Sequence, residues 1–442
     1  MDIRSRHLFP SIRATAYYQQ PLLMEKGSMQ YLWDNRGKKY LDLFAGIVTV
    51  SVGHCHPKVN EALKRQMEKL WHTTSIFATS PLSQYIEKLA SKMPGELKVC
   101  YLTNSGSEAN DLALLLCRLH TGNFDLISLR NGYHGMTQAV SAVTNLNTWK
   151  HPAPLSFGVH RTVNPDPYKG PWGGAHCRNS PSQTDRSCSC TANSCMASDQ
   201  YLNQLEDLLN YSVPKKGVAG MIIESIQGVG GCVQYPKGFM RRAMELVRER
   251  GGICIADEVQ TGFGRLGSNY WGFQTQDAMP DIVTMAKGIG NGFPMGAVVT
   301  TPEIAKSLTH AIHFNTFGGN PLGCAVGSAV LDVIDEEKLQ ENCSKVGTYF
   351  IKGLAKLKET SSVIGDVRGE GLMIGVELVA DKTSRQPLDQ ARVSAIFEAV
   401  KDNGVLIGKG GLHGNVFRLK PPMCITMSDV DEALNVFKET IP

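Results

Sequence analysis

The chain has 442 residues, of which 42% are hydrophobic and 19% are charged, and its formal net charge at pH 7 is +4. This composition is typical of an ordinary globular protein, and the length allows about two to three domain-sized cores. The small net charge gives no support for a nucleic-acid partner, and without eighteen consecutive apolar residues the sequence predicts no membrane span.

The N-terminal stretch is basic, with arginines at positions 4, 6 and 13, and it lacks the apolar core of a secretory signal. It could be a very short or truncated import peptide, and the sequence leaves both interpretations open. Further on, residues 31–43 are typical of two strands around a turn at 34–37. We predict that residues 1–58 form a segment that joins a smaller domain.

From about residue 59 to residue 324, apolar strands alternate with amphipathic helices. Clear examples are strands at 125–129 and 252–257 and a helix at 237–250. Such alternation predicts an α/β fold in which helices cover a mainly parallel sheet. We therefore predict a large domain over 59–324, with its functional site at the carboxyl ends of the strands.

Two loops of this domain carry candidate binding residues. The segment 103–109 precedes a helical pattern, and Ser105 and Glu108 have the spacing of a capping box. Free backbone amides and the positive end of the helix dipole would suit a phosphate there, although a plain helix cap is the alternative interpretation. In the segment 131–135, Tyr133 follows a glycine and could stack on a flat ring, whereas a packing tyrosine in a turn is the alternative.

A segment that is poor in large apolar residues, 171–198, interrupts the alternation. Four of the twelve cysteines crowd into it: Cys177, Cys188, Cys190 and Cys195. Long loops inside compact domains usually have a reason, and four thiolates could hold a tetrahedral zinc, although the spacing is not the usual paired Cys-x-x-Cys. From the sequence we prefer a cysteine-rich loop without metal, so no metal ligand is assigned.

The most informative residue is Lys287, which follows an apolar run and precedes a glycine-rich turn. Upstream, Asp257 ends the buried-strand pattern 252–257. A lysine and an aspartate at strand ends are arranged as in pyridoxal phosphate enzymes, where the amine forms a Schiff base with the cofactor and the carboxylate keeps the ring nitrogen protonated. Val259 shares a strand face with Asp257 and could pack under the ring. Taken singly, a surface lysine and a capping acid are the alternative interpretations.

After residue 324, a helix to about residue 334 leads into a second unit. Helices are predicted near 337–359, 389–402 and 428–440, with strands between them at 372–379 and 416–419. This mixture predicts a smaller α+β domain over 325–442.

Five motifs occur in the order and spacing of the class III aminotransferases. They are Ser-Gly-Ser-Glu-Ala at 105–109, Tyr-His-Gly at 133–135, Asp-Glu-Val-Gln-Thr-Gly-Phe-Gly-Arg at 257–265, Lys287, and Thr-Phe-Gly-Gly-Asn-Pro at 316–321. The resemblance runs from about residue 12 to the C-terminus. It implies a pyridoxal-phosphate-dependent transferase of fold type I, whose large domain has a mainly parallel, seven-stranded sheet.

The resemblance also implies a role for each matching residue. Gly106 and Ser107 would hold the cofactor phosphate, Gln260 would bond the ring hydroxyl, and Tyr133 would stack on the exposed face of the ring. Thr316 is similar to the family threonine that reaches the phosphate of the neighbouring subunit, so we expect a homodimer or homotetramer with shared active sites. The full set of implied cofactor residues is Ser105, Gly106, Ser107, Tyr133, His134, Asp257, Val259, Gln260, Lys287 and Thr316.

For the substrate, the segment 416–422 resembles the family segment whose arginine clamps an α-carboxylate, which points to Arg418. A strand-end arginine in a surface ion pair is the alternative. Glu224 is similar to a family glutamate that can pair with this arginine and swing away from it. The family usually has proline after this glutamate, whereas Ser225 follows it here.

The activity that the resemblance implies is transfer of an amino group from alanine to glyoxylate, in mitochondria, with action on 3-aminoisobutyrate or β-alanine as well. Two alternatives on the same scaffold are an ω-amino acid or amine transaminase and a phospholyase acting on an amino-alcohol phosphate. A third alternative is a catalytically inactive binding protein that presents the cysteine-rich insert. The intact Lys287 and Asp257 argue against this last reading.

Overall fold

The structure, a computed structural model, describes residues 7, 17–155, 157–191 and 194–442. The basic stretch with Arg4, Arg6 and Arg13 lies outside them. From residue 17 onward, the first elements are three antiparallel strands, β1 (Met24–Ser28), β2 (Tyr31–Asp34) and β3 (Lys39–Asp42). The strand pair predicted at 31–43 is confirmed, and Asp34 shapes its turn by accepting hydrogen bonds from two backbone amides, each at 2.9 Å.

A left-handed turn follows β3 at Ala45–Val48. Its four consecutive residues have positive φ, with 52° at Ala45 and 66° at Ile47. For a residue with a Cβ this conformation costs roughly 1–2 kcal/mol. Asp42 holds the start of the turn, because its Oδ1 accepts hydrogen bonds from the amides of Phe44 and Ala45 at 2.9 Å each.

The centre of the fold is a seven-stranded sheet. Its strands are β4 (Val99–Thr103), β5 (Leu126–Leu129), β6 (Val159–Thr162), β7 (Gly220–Glu224), β8 (Ile253–Asp257), β9 (Ile282–Met285) and β10 (Gly296–Thr300). They lie in the order β4-β10-β9-β8-β7-β5-β6, in which β10 is antiparallel to both of its neighbours and the other pairs are parallel. The predicted α/β class with a mainly parallel, seven-stranded sheet is confirmed.

Hydrophobic clusters cover both faces of this sheet, and strand alternation divides the side chains between them. In β7 and β8, Ile223 and Ala256 belong to the larger cluster, whereas Ile222 and Ile255 pack in the smaller one with the helix Gly106–Thr121. Asp257, two residues after Ile255, therefore points to the same face as that helix. The helices of this part of the chain are Pro57–Met67, Ser80–Ser91, Gly106–Thr121, Gln138–Val143, Met196–Tyr211, Phe239–Glu249, Pro302–Ala305 and Pro321–Glu336.

The C-terminal part of the chain contains helices and a second antiparallel sheet. Its helices are Leu339–Thr360, Gln390–Asp402 and Met427–Thr440, and its strands are β11 (Ile364–Glu370), β12 (Met373–Asp381), β13 (Gln386–Pro387), β14 (Val405–Leu406), β15 (Gly408–Gly410) and β16 (Val416–Leu419). The strand order is β11-β12-β16-β15, and β13 pairs with β12. Because β14 pairs in parallel with β3, the N-terminal strands and this part share one sheet. The domain boundaries at residues 58 and 324 stay a prediction.

The cysteine-rich insert is irregular but anchored. Residues 171–191, all of which are described, contain neither helix nor strand. Within them Arg178 is buried and donates to both carboxylate oxygens of Asp366 in β11, at 2.8 Å each. Burial alone would raise the pKa of Asp366, but the guanidinium groups of Arg178 and Arg368 lower it to about 2. A buried ion pair thus fastens the insert to the C-terminal sheet.

None of the helices within the described residues combines the length and the apolar character needed to cross a bilayer.

Candidate active site

Three neighbouring strands end at one level and bring the predicted catalytic residues together. In register, Glu224 of β7 pairs with Asp257 of β8, and Asp257 pairs with Thr284 of β9. Lys287 lies two residues beyond the end of β9. The carboxyl ends of parallel strands share one edge of a sheet, so an amine and two carboxylates that are distant in sequence meet there.

Asp257 is buried and held by hydrogen bonds on both oxygens. Its Oδ2 accepts from Asn110 Nδ2 at 2.9 Å and lies 2.8 Å from His134 Nδ1, and its Oδ1 accepts from the amide of Val259 at 3.1 Å. The structure places His134, predicted as a cofactor residue, against this carboxylate. Sequence reasoning missed Asn110, although a polar residue beside Ala109, Leu112 and Ala113 on the buried face of a helix was a usable signal.

Lys287 has an unusual backbone and an unusual environment. Its φ is 49°, in the left-handed region that residues with a Cβ seldom adopt, and such strain concentrates at functional sites. Burial lowers the pKa of its amine, and the charge of Arg418 acts in the same direction, against the opposite pull of Asp257. The amine is therefore easier to deprotonate than that of an ordinary lysine.

The loop at 105–107 begins the helix Gly106–Thr121. The Ser105 hydroxyl oxygen accepts a hydrogen bond from the amide of Glu108 at 3.2 Å, as the spacing predicts. The Glu108 carboxylate instead accepts from the amide of Asn104, so only half of the predicted capping box forms. Within the described part of the chain, the amides of Gly106 and Ser107 have no hydrogen-bond partner, so they can bind an anion.

Close packing at glycines ties this loop to its surroundings. A Cβ added to Gly106 would lie 3.1 Å from Val259, and one added to Gly135 would lie 2.4 Å from Ser107 Oγ. Near them, the amide of Tyr133 donates to Glu224 at 2.9 Å, and the Tyr133 ring contacts Trp149 edge-on at 5.0 Å between centroids. The structure thus gathers the predicted phosphate loop, the tyrosine and Val259 around the strand ends.

Gln260 is positioned by a lysine that sequence reasoning missed. Its Oε1 accepts a hydrogen bond from Lys420 Nζ at 2.8 Å, which leaves its Nε2 as a donor. Burial lowers the pKa of Lys420 to about 7. Gly228 packs directly against Gln260, because an added Cβ would lie 2.4 Å from Oε1. Lys420 shares a strand-end face with Arg418, two residues away, which was the available signal.

Arg418 and Glu224 lie in the same region but do not pair. Arg418 Nε donates to the carbonyl of Lys409 at 3.0 Å, and its guanidinium lies 5.3 Å from the centroid of the Phe44 ring. Glu224 accepts from the amides of Tyr133 and Gly228, at 2.9 and 2.7 Å. Burial raises the pKa of Glu224. Among the described residues, then, the expected ion pair between these two side chains is not formed.

The serine that departs from the family pattern has a defined contact. The Ser225 hydroxyl donates to Glu258, a fully buried carboxylate. Glu258 also accepts from Thr261 Oγ1 at 2.9 Å and from the amides of Gly272 and Phe273, at 2.7 and 2.8 Å. Ser225 thus supports the loop after β8.

Thr316 lies on the surface of its own chain. It is exposed, in a segment where Ile312, Phe314 and Phe317 are 97%, 50% and 60% exposed. Its neighbour Asn315 donates to Glu108 at 3.0 Å, which ties the segment to the loop at 105–108. Thr316 is therefore presented outward beside that loop.

The gathered groups suit a phosphorylated pyridine aldehyde. They include an amine of lowered pKa, a buried carboxylate, free amides at a helix start and a cradle of glycines at 106, 135 and 228, each of which a Cβ would fill. The amine suits the aldehyde of such a molecule, and the carboxylate suits its pyridine nitrogen. The amides suit its phosphate, and the glycines leave room for its flat ring.

Comparisons with known proteins agree with this chemistry. A family model described as "Aminotransferase class-III" matches residues 12–441. The chain is 56% identical over 442 residues to the human protein "Alanine--glyoxylate aminotransferase 2, mitochondrial", covering 100% of this chain and 85% of that protein. It is 47% identical over 428 residues to the Arabidopsis thaliana "Alanine--glyoxylate aminotransferase 2 homolog 2, mitochondrial", covering 97% and 84%.

Two of the solved structures with a similar fold serve as examples. One is an Arthrobacter phospholyase in complex with phosphoethanolamine, at 33% identity and a TM-score of 0.88, covering 99% of this chain and 98% of that one. The other is a PLP-bound amine transaminase from an uncultivated Pseudomonas species, at 30% identity and a TM-score of 0.86, covering 96% and 95%.

Proposed function

Because the chain belongs to the class III aminotransferases, we propose that it moves an amino group from alanine to glyoxylate and so produces pyruvate and glycine. The observation that carries the proposal is the 56% identity, over the whole chain, to a protein named for this reaction. The same resemblance supports action on 3-aminoisobutyrate or β-alanine with pyruvate as acceptor. The cofactor would be pyridoxal phosphate, as in the bound form of the Pseudomonas transaminase.

Pyridoxal phosphate, when bound, supplies an electron sink for a carbanion next to the substrate nitrogen. The first amides of the helix Gly106–Thr121, with Ser105 and Ser107, would hold its phosphate. Val259 and Tyr133 would cover the two faces of its ring, and Gln260 Nε2 would donate to its hydroxyl group. Lys420 orients that amide through its hydrogen bond to Oε1.

Two residues would control protons. The Asp257 carboxylate would keep a proton on the ring nitrogen, and the hydrogen bonds from Asn110 and His134 fix the carboxylate in place. The Lys287 amine would take the proton from the substrate Cα and pass it to the cofactor, because burial lowers its pKa and so makes the neutral amine available.

Arg418 would bind the substrate α-carboxylate and so orient the Cα–H bond. Its guanidinium is buried, and its Nε is already fixed on the carbonyl of Lys409. Glu224, whose oxygens are held by two backbone amides, would line the same pocket.

We also propose that the protein works as a homodimer or homotetramer in mitochondria. The exposed apolar residues around Thr316 support an interface there, since such patches often mark protein contacts. The location is supported by the names of the human and Arabidopsis relatives.

A panel of amino donors tests the activity. Purified protein loaded with pyridoxal phosphate is given alanine, 3-aminoisobutyrate, β-alanine or phosphoethanolamine, with glyoxylate, pyruvate or no acceptor. We expect glycine from alanine and glyoxylate together, and a loss of at least about a thousandfold in the Lys287→Ala variant, which still binds the cofactor. Release of inorganic phosphate from phosphoethanolamine without a keto acid would instead identify a phospholyase. No turnover with any donor, together with an absorbance of the bound cofactor that alanine leaves unchanged, would support a binding protein.

A further inference from the structure

Three cysteine sulfur atoms of the insert lie close together in space. None of these cysteines belongs to the candidate active site. Cys177 Sγ lies 3.4 Å from Cys190 Sγ, and Cys190 Sγ lies 3.6 Å from Cys195 Sγ. All three atoms lie within 4.8 Å of one another. These distances are well beyond the roughly 2.05 Å of a disulfide bond. They match the edge of a tetrahedron of thiolates around zinc, about 3.8 Å for a Zn–S distance of about 2.3 Å.

The fourth position of such a tetrahedron has a candidate in the same segment. Cys188 lies outside this close group of three sulfur atoms, and its thiol donates to the carbonyl of Ala175, two residues before Cys177, at 2.6 Å. Cys195 immediately precedes the helix Met196–Tyr211, where the positive end of the dipole favours a thiolate. We propose that Cys177, Cys188, Cys190 and Cys195 together bind one structural zinc ion.

A metal explains this arrangement better than the alternatives do. One disulfide would leave one of the three clustered cysteines unpaired, whereas a zinc ion can bind all three and take Cys188 as a fourth ligand. Cys188, Cys190 and Cys195 pack against the hydrophobic core, but burial alone does not require three sulfur atoms to face one another. Zinc bound by four protein ligands has no open position for substrate, so the role would be structural.

The position of the site indicates what it would stabilise. Cys177 is fully buried, and its carbonyl accepts a hydrogen bond from the amide of Lys237 at 2.8 Å. The next residue is Arg178, whose guanidinium pairs with Asp366 inside the C-terminal sheet. A metal at Cys177 would therefore hold the insert in the conformation that delivers a buried positive charge to its partner, which is costly to leave unpaired.

Metal analysis of the holoenzyme tests the proposal. The protein is produced with zinc in the medium and purified without chelators, and its zinc is measured by mass spectrometry. We expect about one zinc per chain, and loss of most of it in the Cys190→Ser/Cys195→Ser variant. The matched control is Cys55→Ser, at an exposed cysteine, which should keep its zinc.

Because a variant without its ligands can fail to fold, the native chain supplies a second measurement. Titration of its thiols with a mercurial reagent should release zinc in proportion, and the cobalt-substituted protein should show the charge-transfer absorption of tetrahedral thiolate coordination. Less than about a tenth of an equivalent of zinc in the native protein would overturn the proposal. A disulfide found among the four cysteines by peptide mapping would overturn it too, and full zinc in Cys188→Ser would remove Cys188 as the fourth ligand.

Discussion

Two lysines with lowered pKa values, Lys287 and Lys420, lie near the strand ends and show what local sequence patterns predict and what they do not. Lys287 and Asp257 were predicted because each follows an apolar run, which a local pattern reveals. The hydrogen bonds of Asn110 and His134 to Asp257, and of Lys420 to Gln260, join residues 123 to 160 positions apart. No local pattern records which of these segments meet.

Lys420 gives a prediction about pH. Burial lowers its pKa from 10.5 to about 7, so the folded, cofactor-free protein binds this proton less readily than the unfolded chain. The resulting destabilisation begins as the pH falls below about 10.5 and is complete below about 7. Lys420→Met removes this destabilisation, so on lowering the pH from 9 to 6.5 we expect the stability of the variant to rise by about 2.5 kcal/mol relative to that of the native chain.

Urea unfolding of cofactor-free protein at these two pH values measures the difference. Lys215→Met, at an exposed lysine, is the control and should show no such gain. An unchanged difference between Lys420→Met and the native chain at both pH values would contradict the burial of this amine.

Among elements, alternation predicted the core strands well because they are apolar and bounded by turns. The antiparallel position of β10 was not predicted, since strand direction depends on the connection and not on the strand's own residues. The left-handed turn at Ala45–Val48 also escaped prediction, because three of its four residues carry a Cβ and give no turn signal. The contact of Ser225 with Glu258 likewise required the structure.

The loop after β8 gives a prediction about stability. Ser225→Ala removes one donor from the buried Glu258 carboxylate, which keeps Thr261 and the amides of Gly272 and Phe273. A hydrogen bond to a charged buried group contributes about 1.5–3 kcal/mol, and we expect a loss of that size in the free energy of unfolding. Denaturant titration measures it, with Ser384→Ala, at an exposed hydroxyl on Asp381, as the control. Equal stability of both variants would refute the support assigned to Ser225.

At the scale of the whole molecule, segments that are far apart in sequence pack together. β14 pairs with β3, and the insert reaches Asp366 in β11. Composition and periodicity cannot predict such contacts, because they describe the polarity pattern of a segment and do not identify the segment that it contacts. Exposed apolar residues near Thr316, together with Ile76 and Phe77 at 77% and 65% exposure, support the proposed assembly of more than one chain.

Mixed dimers test whether Thr316 serves the partner's site. Chains carrying Lys287→Ala and Thr316→Ala, with different affinity tags, are produced together and purified through both tags. If the sites are shared, one site of each mixed dimer has both native residues, so we expect about half of the native turnover at limiting cofactor. Thr316→Ala homodimers should bind the cofactor roughly tenfold more weakly. Should Thr316 act within its own chain, the mixed dimer would show the same weak cofactor binding as those homodimers.

Strands β7, β8 and β9 end side by side, so an error in their pairing register would affect the site directly. Every residue of β7 and β8 is buried, so sliding one strand past the other by two positions would keep apolar side chains in both layers. Glu224 and Asp257, which now lie side by side, would nevertheless be offset by about 6.6 Å along the strand direction. A misaligned molecule would thus keep its apolar packing while losing its chemistry, and the hydrogen bonds of Asp257 to Asn110, His134 and Val259 are among the contacts that oppose the slip.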